Sequence, residues 1–238
     1  MIRTIFTAIY LLFLLLRITP RLFRMKKLPP TLPPEEKDRL VHKTPDFFGK
    51  RMVGISGSTV EVKGLEHMPQ DRAVLVVCNH QSNFDIPVLM GYLNKPIGFI
   101  SKAEIKKIPI VAPWMELMNC VFMDRSDRRQ SLQAIREGIQ LLKDGHSLVI
   151  FPEGTRSKGK EMGEFKTGSF HLAMKSGVPI LPVTVDGTYN ILEANGNKVK
   201  PAHVTLTVSK PIYEEQYKNL DLKDLAEHTK NVIASKLT

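Results

Sequence analysis

This sequence predicts an α/β domain with a central, mostly parallel (mixed) sheet flanked by helices, preceded by a hydrophobic helical segment. Three observations predict it. From Val60 onward, short apolar, β-branched runs alternate with stretches of three-and-four helical spacing, the pattern of a sheet crossed by helices. Ahead of that lies Ile5–Leu16, twelve uncharged and mostly apolar positions with basic residues on both sides. Between the two, Pro29, Pro30, Pro33 and Pro34 break any helix and make a stiff hinge. The expected division is 1–58 for the hydrophobic helical segment with its proline hinge and 59–238 for the α/β domain.

Taken in order, each element has its own signal. A helix over Ile5–Leu16 spans ~18 Å at 1.5 Å per residue, short of the ~30 Å hydrocarbon core of a bilayer. That length also suits a signal-peptide core. No small-residue cleavage site follows it, however, and Arg17, Pro20, Arg21 and Arg24 come next, favouring an anchor that lies on or half within a membrane over a cleaved or spanning segment. Within 36–58, the residues Leu40, Val41, Phe47, Phe48, Met52 and Val53 weakly mark a second helix, interrupted by Pro45 and Gly49. Strands are expected at 60–63, 73–78, 97–101, 119–123, 147–151, 179–185 and 203–208. Helices are expected at 86–94, 104–118, 168–176 and 221–237. Leu132, Ile135, Ile139 and Leu142 mark another, opening near Ser126–Asp127 and stopping at Gly145. The prolines of Val178-Pro-Ile-Leu-Pro-Val183 point to an edge or irregular strand.

The net charge of +10 and the pI of about 9.6 have an address. Residues 1–34 carry Arg3, Arg17, Arg21, Arg24, Lys26 and Lys27 and no acid. Basic residues flanking a greasy segment suit an anionic lipid surface and argue against nucleic acid, which asks for charge spread over a folded face. Cys78 and Cys120, both in apolar runs, read as buried free thiols of a reducing compartment. No metal-ligand spacing occurs, so no metal is expected.

Four strand ends carry the residues of interest, and strand ends are where open α/β sheets place their sites. In Asn79-His-Gln-Ser-Asn-Phe-Asp85, His80 and Asp85 stand too far apart for one helix face and too far for contact in an extended chain. They meet only if the chain curls. A carboxylate on one ring nitrogen would fix the imidazole tautomer and free the other nitrogen as a base. No protein nucleophile accompanies the pair, which leaves that part open to the substrate; backbone amides near Asn79–Ser82 are candidate oxyanion donors. In Phe151-Pro-Glu-Gly-Thr-Arg-Ser157, Gly154 permits a tight turn, Thr155 and Ser157 offer hydroxyls, and Arg156 offers a fork for phosphate oxygens. Glu153 either steadies Arg156 or accepts a substrate hydroxyl. Arg125 in Val121-Phe-Met-Asp-Arg125 reads, taken alone, more readily as a surface ion pair with Asp124, or else with Lys102 at the preceding strand end as added positive charge in an anion pocket. The Val178–Val183 block holds no reactive group and is expected to shape a wall.

Taken together and in this order, NHQSNFD, FMDR, FPEGTRS and VPILPV resemble the four sequence blocks of the glycerolipid acyltransferases, among them the bacterial 1-acylglycerol-3-phosphate acyltransferases. The resemblance covers roughly residues 60–210. Met123 stands where the family's FIDR form has Ile, a conservative change. The resemblance implies acyl transfer from acyl-CoA or acyl-carrier protein, as co-substrate and without a cofactor, to the sn-2 hydroxyl of lysophosphatidic acid at a membrane. It implies His80 as general base, Asp85 as its orienting carboxylate, and Gly154, Thr155 and Arg156 in the phosphate site, with Glu153 and Arg125 helping to hold the glycerol phosphate. Lys102 is added on its position alone. The cytoplasmic face of the inner membrane is the expected location, with anionic lipids as partners.

Three other readings compete. The acceptor could be glycerol 3-phosphate, another lysophospholipid or an ornithine-type lipid. The chain could instead be a thioesterase or lipid hydrolase, although no G-x-S-x-G elbow is present. A non-catalytic membrane-binding module would leave the strand-end His, Asp and Arg unexplained.

Overall fold

The computed structural model describes residues 1–238. Its strands are β1 (Thr59–Lys63), β2 (Leu75–Cys78), β3 (Gly98–Lys102), β4 (Val121–Met123), β5 (Leu148–Ile150), β6 (Ile180–Asp186) and β7 (His203–Val208), each within two residues of its expected bounds. They form one sheet in the order β1-β7-β6-β2-β5-β3-β4, with every neighbouring pair parallel except β6 and β7. Because β6, β2, β5, β3 and β4 run the same way, their C-terminal ends lie along one edge, and the loops that follow them meet there.

Successive side chains of a strand point to opposite faces. Val74, Val76 and Cys78 therefore enter one core while Leu75 and Val77 enter the other. The first core is covered by α1 (Ile2–Lys26), α2 (Pro34–Ser56), α3 (Asp85–Tyr92) and α4 (Val111–Leu117). The second is covered by α5 (Arg128–Lys143), α6 (His171–Ser176) and α8 (Leu222–Ala234), with the short α7 (Glu214–Tyr217) beside it. Asp127 opens α5 as expected, its carboxylate accepting from the amides of Arg129 and Gln130.

The structure departs from the sequence-based expectations in three places. The Val178–Val183 block is neither an edge nor an irregular strand: β6 lies inside the sheet, between β7 and β2. Pro182 is tolerated because its carbonyl accepts from the Ser209 amide while the ladder to β7 begins only at Val183–Val208, so the missing N–H falls at the end of that ladder. The stretch 104–118 is split at Pro109 into a 3₁₀ turn, Ala103–Lys107, and α4. The hydrophobic helix is also longer than twelve residues. It continues through Arg17 and Pro20 to 25 residues, long and apolar enough to cross a membrane by length and composition. The charges do not end it because they sit on its flank, where the Arg21 guanidinium lies 5.7 Å from the centre of the Phe47 ring.

One face of α1 is docked: Thr7, Leu14, Ile18 and Leu22 are buried. The opposite face leaves Ile2, Ile5, Phe6, Ile9, Leu12, Phe13 and Leu16 in the open, at spacings of one helix side. The next helix, α2, runs through Pro45 and Gly49, and Gly49 is required there. A methyl group at Gly49 would lie 2.8 Å from the Gly91 amide of α3, so two backbones approach with no room for a side chain. Polar contacts then fix α2 to the sheet end. His146 donates through Nδ1 to Asp38 (2.5 Å), and His42 Nε2 accepts from the Ile97 amide (2.8 Å).

Burial lowers the His42 pKa from 6.5 to about 4, against the opposing pull of Asp38 and Asp46. Below pH 6.5 the unfolded chain binds a proton at this position that the folded chain refuses until about pH 4. The contribution is thus complete above pH 6.5 and is lost as the pH falls, ~3 kcal/mol by pH 4. Urea unfolding across that window should show a shallower decline for His42→Gln than for the unsubstituted protein. Parallel curves would mean that His42 titrates normally.

Candidate active site

The loop after β2 curls because a buried carboxylate demands donors. Asp85, fully buried at the start of α3, turns back toward the residues before it. Its Oδ2 accepts from His80 Nδ1 (2.7 Å) and from the amides of Gln81 (2.7 Å) and Ser82 (2.9 Å). Its Oδ1 accepts from Thr188 Oγ1, just beyond β6. An ionised carboxylate only accepts, so Nδ1 of His80 carries the proton and Nε2 is left with its lone pair. The ring also lies flat on Phe151, with centroids 4.0 Å apart, which sets its plane. His80 and Asp85 are therefore brought together, and by the curl that their spacing makes necessary for contact.

The two strand-end loops are tied to each other through backbone bonds. The Ser157 amide donates to the His80 carbonyl (2.8 Å) and the Lys158 amide to that of Gln81 (3.1 Å). Glu153 adds a third tie, and it does not face the cavity in which a substrate would sit. It is buried, with Oε1 accepting from the His80 amide (2.6 Å) and Oε2 from the Gly163 amide (2.8 Å). Burial raises its pKa, opposed by these two amides. The structure thus places Glu153 behind the histidine, away from the cavity and unpaired with Arg156. Of the expected oxyanion donors near Asn79–Ser82, the amides of His80, Gln81 and Ser82 already serve Glu153 and Asp85.

A cavity of about 340 Å³ opens in front of His80. Gly154, Thr155, Arg156, Arg125 and Lys102 all line it, joined by Lys158, and no carboxylate does. Gly154 takes φ +74°, the left-handed turn that a glycine allows. Arg125 donates through Nη1 to the Gly154 carbonyl, and desolvation lowers its pKa. Arg156 donates through Nη1 to Glu193 Oε1 (2.8 Å), a residue with no sequence signal to mark it. A pocket walled by cations suits an anionic group such as a phosphate monoester.

A second cavity of about 300 Å³ shares Ile86, Phe99, Ser101 and Ile105 with the first, so the two adjoin. It is apolar, and its far wall comes from Leu15 and Ile18 of α1, Phe48 of α2 and Trp114 of α4. The N-terminal helix thus builds part of the site, which nothing in its local pattern discloses.

Comparison with known proteins gives the family and the fold. The acyltransferase family model matches residues 59–186. A chloroplastic 1-acyl-sn-glycerol-3-phosphate acyltransferase of Brassica napus, BAT2, is 35% identical over 84% of this chain and 58% of its own length. The chain thus spans little more than half of that plant relative. A probable 1-acyl-sn-glycerol-3-phosphate acyltransferase of Mycoplasma genitalium is 31% identical, over 98% of this chain and 89% of its own. The crystal structure of the 1-acyl-sn-glycerophosphate acyltransferase PlsC from Thermotoga maritima superposes with a TM-score of 0.85 at 32% identity, covering 99% of this chain and 95% of that one. On its fold, its strand-end residues and these matches, the chain belongs to the acyltransferase family.

Proposed function

We propose that the protein transfers a fatty acyl group from acyl-CoA or acyl-carrier protein to the sn-2 hydroxyl of 1-acylglycerol 3-phosphate, forming phosphatidic acid. One observation carries the reading: an oriented histidine with a free ring nitrogen lines a cation-walled cavity that adjoins an apolar one. The acceptor has that form, with a phosphate at one end, an acyl chain at the other and the hydroxyl between.

In this mechanism Arg125, Arg156 and Lys102, with the Gly154–Thr155 turn, hold the phosphate. His80 Nε2 takes the hydroxyl proton as the oxygen attacks the thioester carbonyl, and Asp85 stabilises the resulting imidazolium. Collapse of the tetrahedral intermediate breaks the C–S bond. The same proton passes to the departing thiolate, so ester and thiol leave and the histidine is neutral again. A positioned base of this kind supplies roughly 10²–10⁴-fold. Glu153 is a positioning residue, holding the backbone at His80.

Residues 1–58 act as the membrane-anchoring part and 59–238 as the catalytic domain. The docked face of α1 supports monotopic attachment: with Leu14, Ile18 and Leu22 packed on the domain, α1 cannot cross a bilayer alone. Its open apolar face enters the lipid, and the arginines along its flank meet anionic headgroups at the cytoplasmic face of the inner membrane.

The decisive measurement is thiol release from the acyl donor with and without 1-acylglycerol 3-phosphate, with products identified by mass spectrometry. Release that depends on the acceptor supports transfer; equal release without it means hydrolysis. His80→Ala should lower turnover at least ~100-fold in a folded protein, and near-normal turnover overturns the base assignment. Glu153→Gln sets an amide N–H₂ against a backbone N–H and should cost roughly 1–3 kcal/mol in urea unfolding. It should lower kcat while leaving the acceptor KM in place; a selective rise in that KM would restore Glu153 to the acceptor site. Placing Asp at both Phe6 and Phe13 should weaken cosedimentation with anionic liposomes at least ~10-fold. Full cosedimentation would locate the membrane contact elsewhere.

A further inference from the structure

We infer that Glu193 is a positioning residue that presets Arg156 for the acceptor's phosphate and fixes its distance from His80. The inference rests on the phosphate reading given above. Glu193 lies on the 3₁₀ turn Glu193–Asn195, in a segment distant in sequence from both active-site loops. Its side chain is 3% exposed against 31% for that of Arg156, so the carboxylate is enclosed while the guanidinium reaches the cavity.

Three donors serve the enclosed carboxylate. Arg156 Nη1 (2.8 Å) and the Asn83 amide (3.1 Å) donate to Oε1, and Ser82 Oγ donates to Oε2 (2.6 Å). Ser82 Oγ in turn accepts from the Phe84 amide (3.0 Å). Ser82 and Asn83 belong to the loop that bends His80 onto Asp85, and Arg156 to the loop after β5. One carboxylate thus grips the base-bearing loop with one oxygen and shares the other between that loop and the phosphate-binding arginine. A guanidinium has five N–H donors in a rigid fork, so a bond to Glu193 leaves others for a phosphate.

This arrangement has a kinetic consequence. An arginine free to sample rotamers must be ordered when the phosphate arrives, and a pinned one is already in place. Loss of the pin therefore falls on the acceptor, not on the donor thioester.

The test is steady-state kinetics on the full chain in mixed micelles, varying 1-acylglycerol 3-phosphate and the acyl thioester donor separately. Glu193→Gln should raise the acceptor KM roughly 10- to 100-fold and change the donor KM by less than about twofold. In an Arg156→Ala background the same substitution should move the acceptor KM by less than about twofold, because the pinned group is gone. Arg156→Lys leaves Glu193 intact and gives an independent reading. A single ammonium cannot serve carboxylate and phosphate with a fork's geometry, so the acceptor KM should again rise about tenfold.

Equal rises in both Michaelis constants, a fall in the acceptor KM, or full additivity of the two substitutions would overturn the role of Glu193. If Arg156→Ala raises the acceptor KM while Glu193→Gln does not, Glu193 fails and the phosphate reading stands. If Arg156→Ala itself leaves the acceptor KM unmoved, the phosphate reading fails first.

Discussion

A carboxylate removed from water must be met by donors at almost every lone pair, and the site is built around that demand at Asp85. Its four donors come from a histidine ring, two consecutive amides and a threonine beyond another strand. To satisfy them the chain after β2 has to curl, the histidine has to present Nδ1–H, and the end of β6 has to stand beside the end of β2. The orientation of the His80 ring is therefore a by-product of solvating one buried charge with protein. The parallel strands make this possible, since they deliver the relevant loops to a single edge of the sheet.

The same device is used twice more. Glu153 binds two amides behind His80, and Glu193 joins the loop carrying the base to Arg156. All three acids are turned into the scaffold, while Lys102, Arg125, Arg156 and Lys158 are left facing the cavity. A pocket that binds an anion gains from this separation of charge. Each acid lies close enough to hold the loops, yet none lines the surface where it would repel the ligand. Shared between loops, the carboxylates also brace the loop tips into a frame, which holds the His80 ring in place on an otherwise irregular segment.

Much of this was legible in the sequence where chemistry and local periodicity coincide. The spacing of His80 and Asp85 tied any contact between them to a curl, and the strands declared themselves by composition. Pro182 misled because a missing N–H matters only where a partner carbonyl is in register, and register is a property of two strands. Arg17 and Arg21 misled because charge on a helix flank does not stop a helix. Glu153 was recognised as chemically relevant, but its direction was not, since an acid beside an arginine reads the same whether it faces a ligand or a backbone. Glu193 carries no pattern of its own. Its role exists only because the turn after β6 is folded against two loops more than thirty residues away from it. The apolar cavity was hidden for the same reason, being assembled from α1, α2, α3 and α4 together.

That shared cavity changes what the N-terminal helices are for. If α1 served only as a tether, its inner face would need no relation to the site, and any hydrophobic helix on a linker would do. Instead Leu15 and Ile18 close the wall of the apolar cavity, while the residues on the opposite side of the same helix stay open. One helix thus separates an apolar chamber from an apolar exterior. If that exterior is lipid, an acyl chain moving between bilayer and chamber never crosses water, and the cost of exposing its methylenes, ~0.8 kcal/mol each, is avoided along the whole path. The polar end then has only to reach the cations of the adjoining cavity, beyond Ser101. α1 and the chamber are on this view one structure, and Ile86, Phe99, Ser101 and Ile105 join that chamber to the cavity that His80 lines.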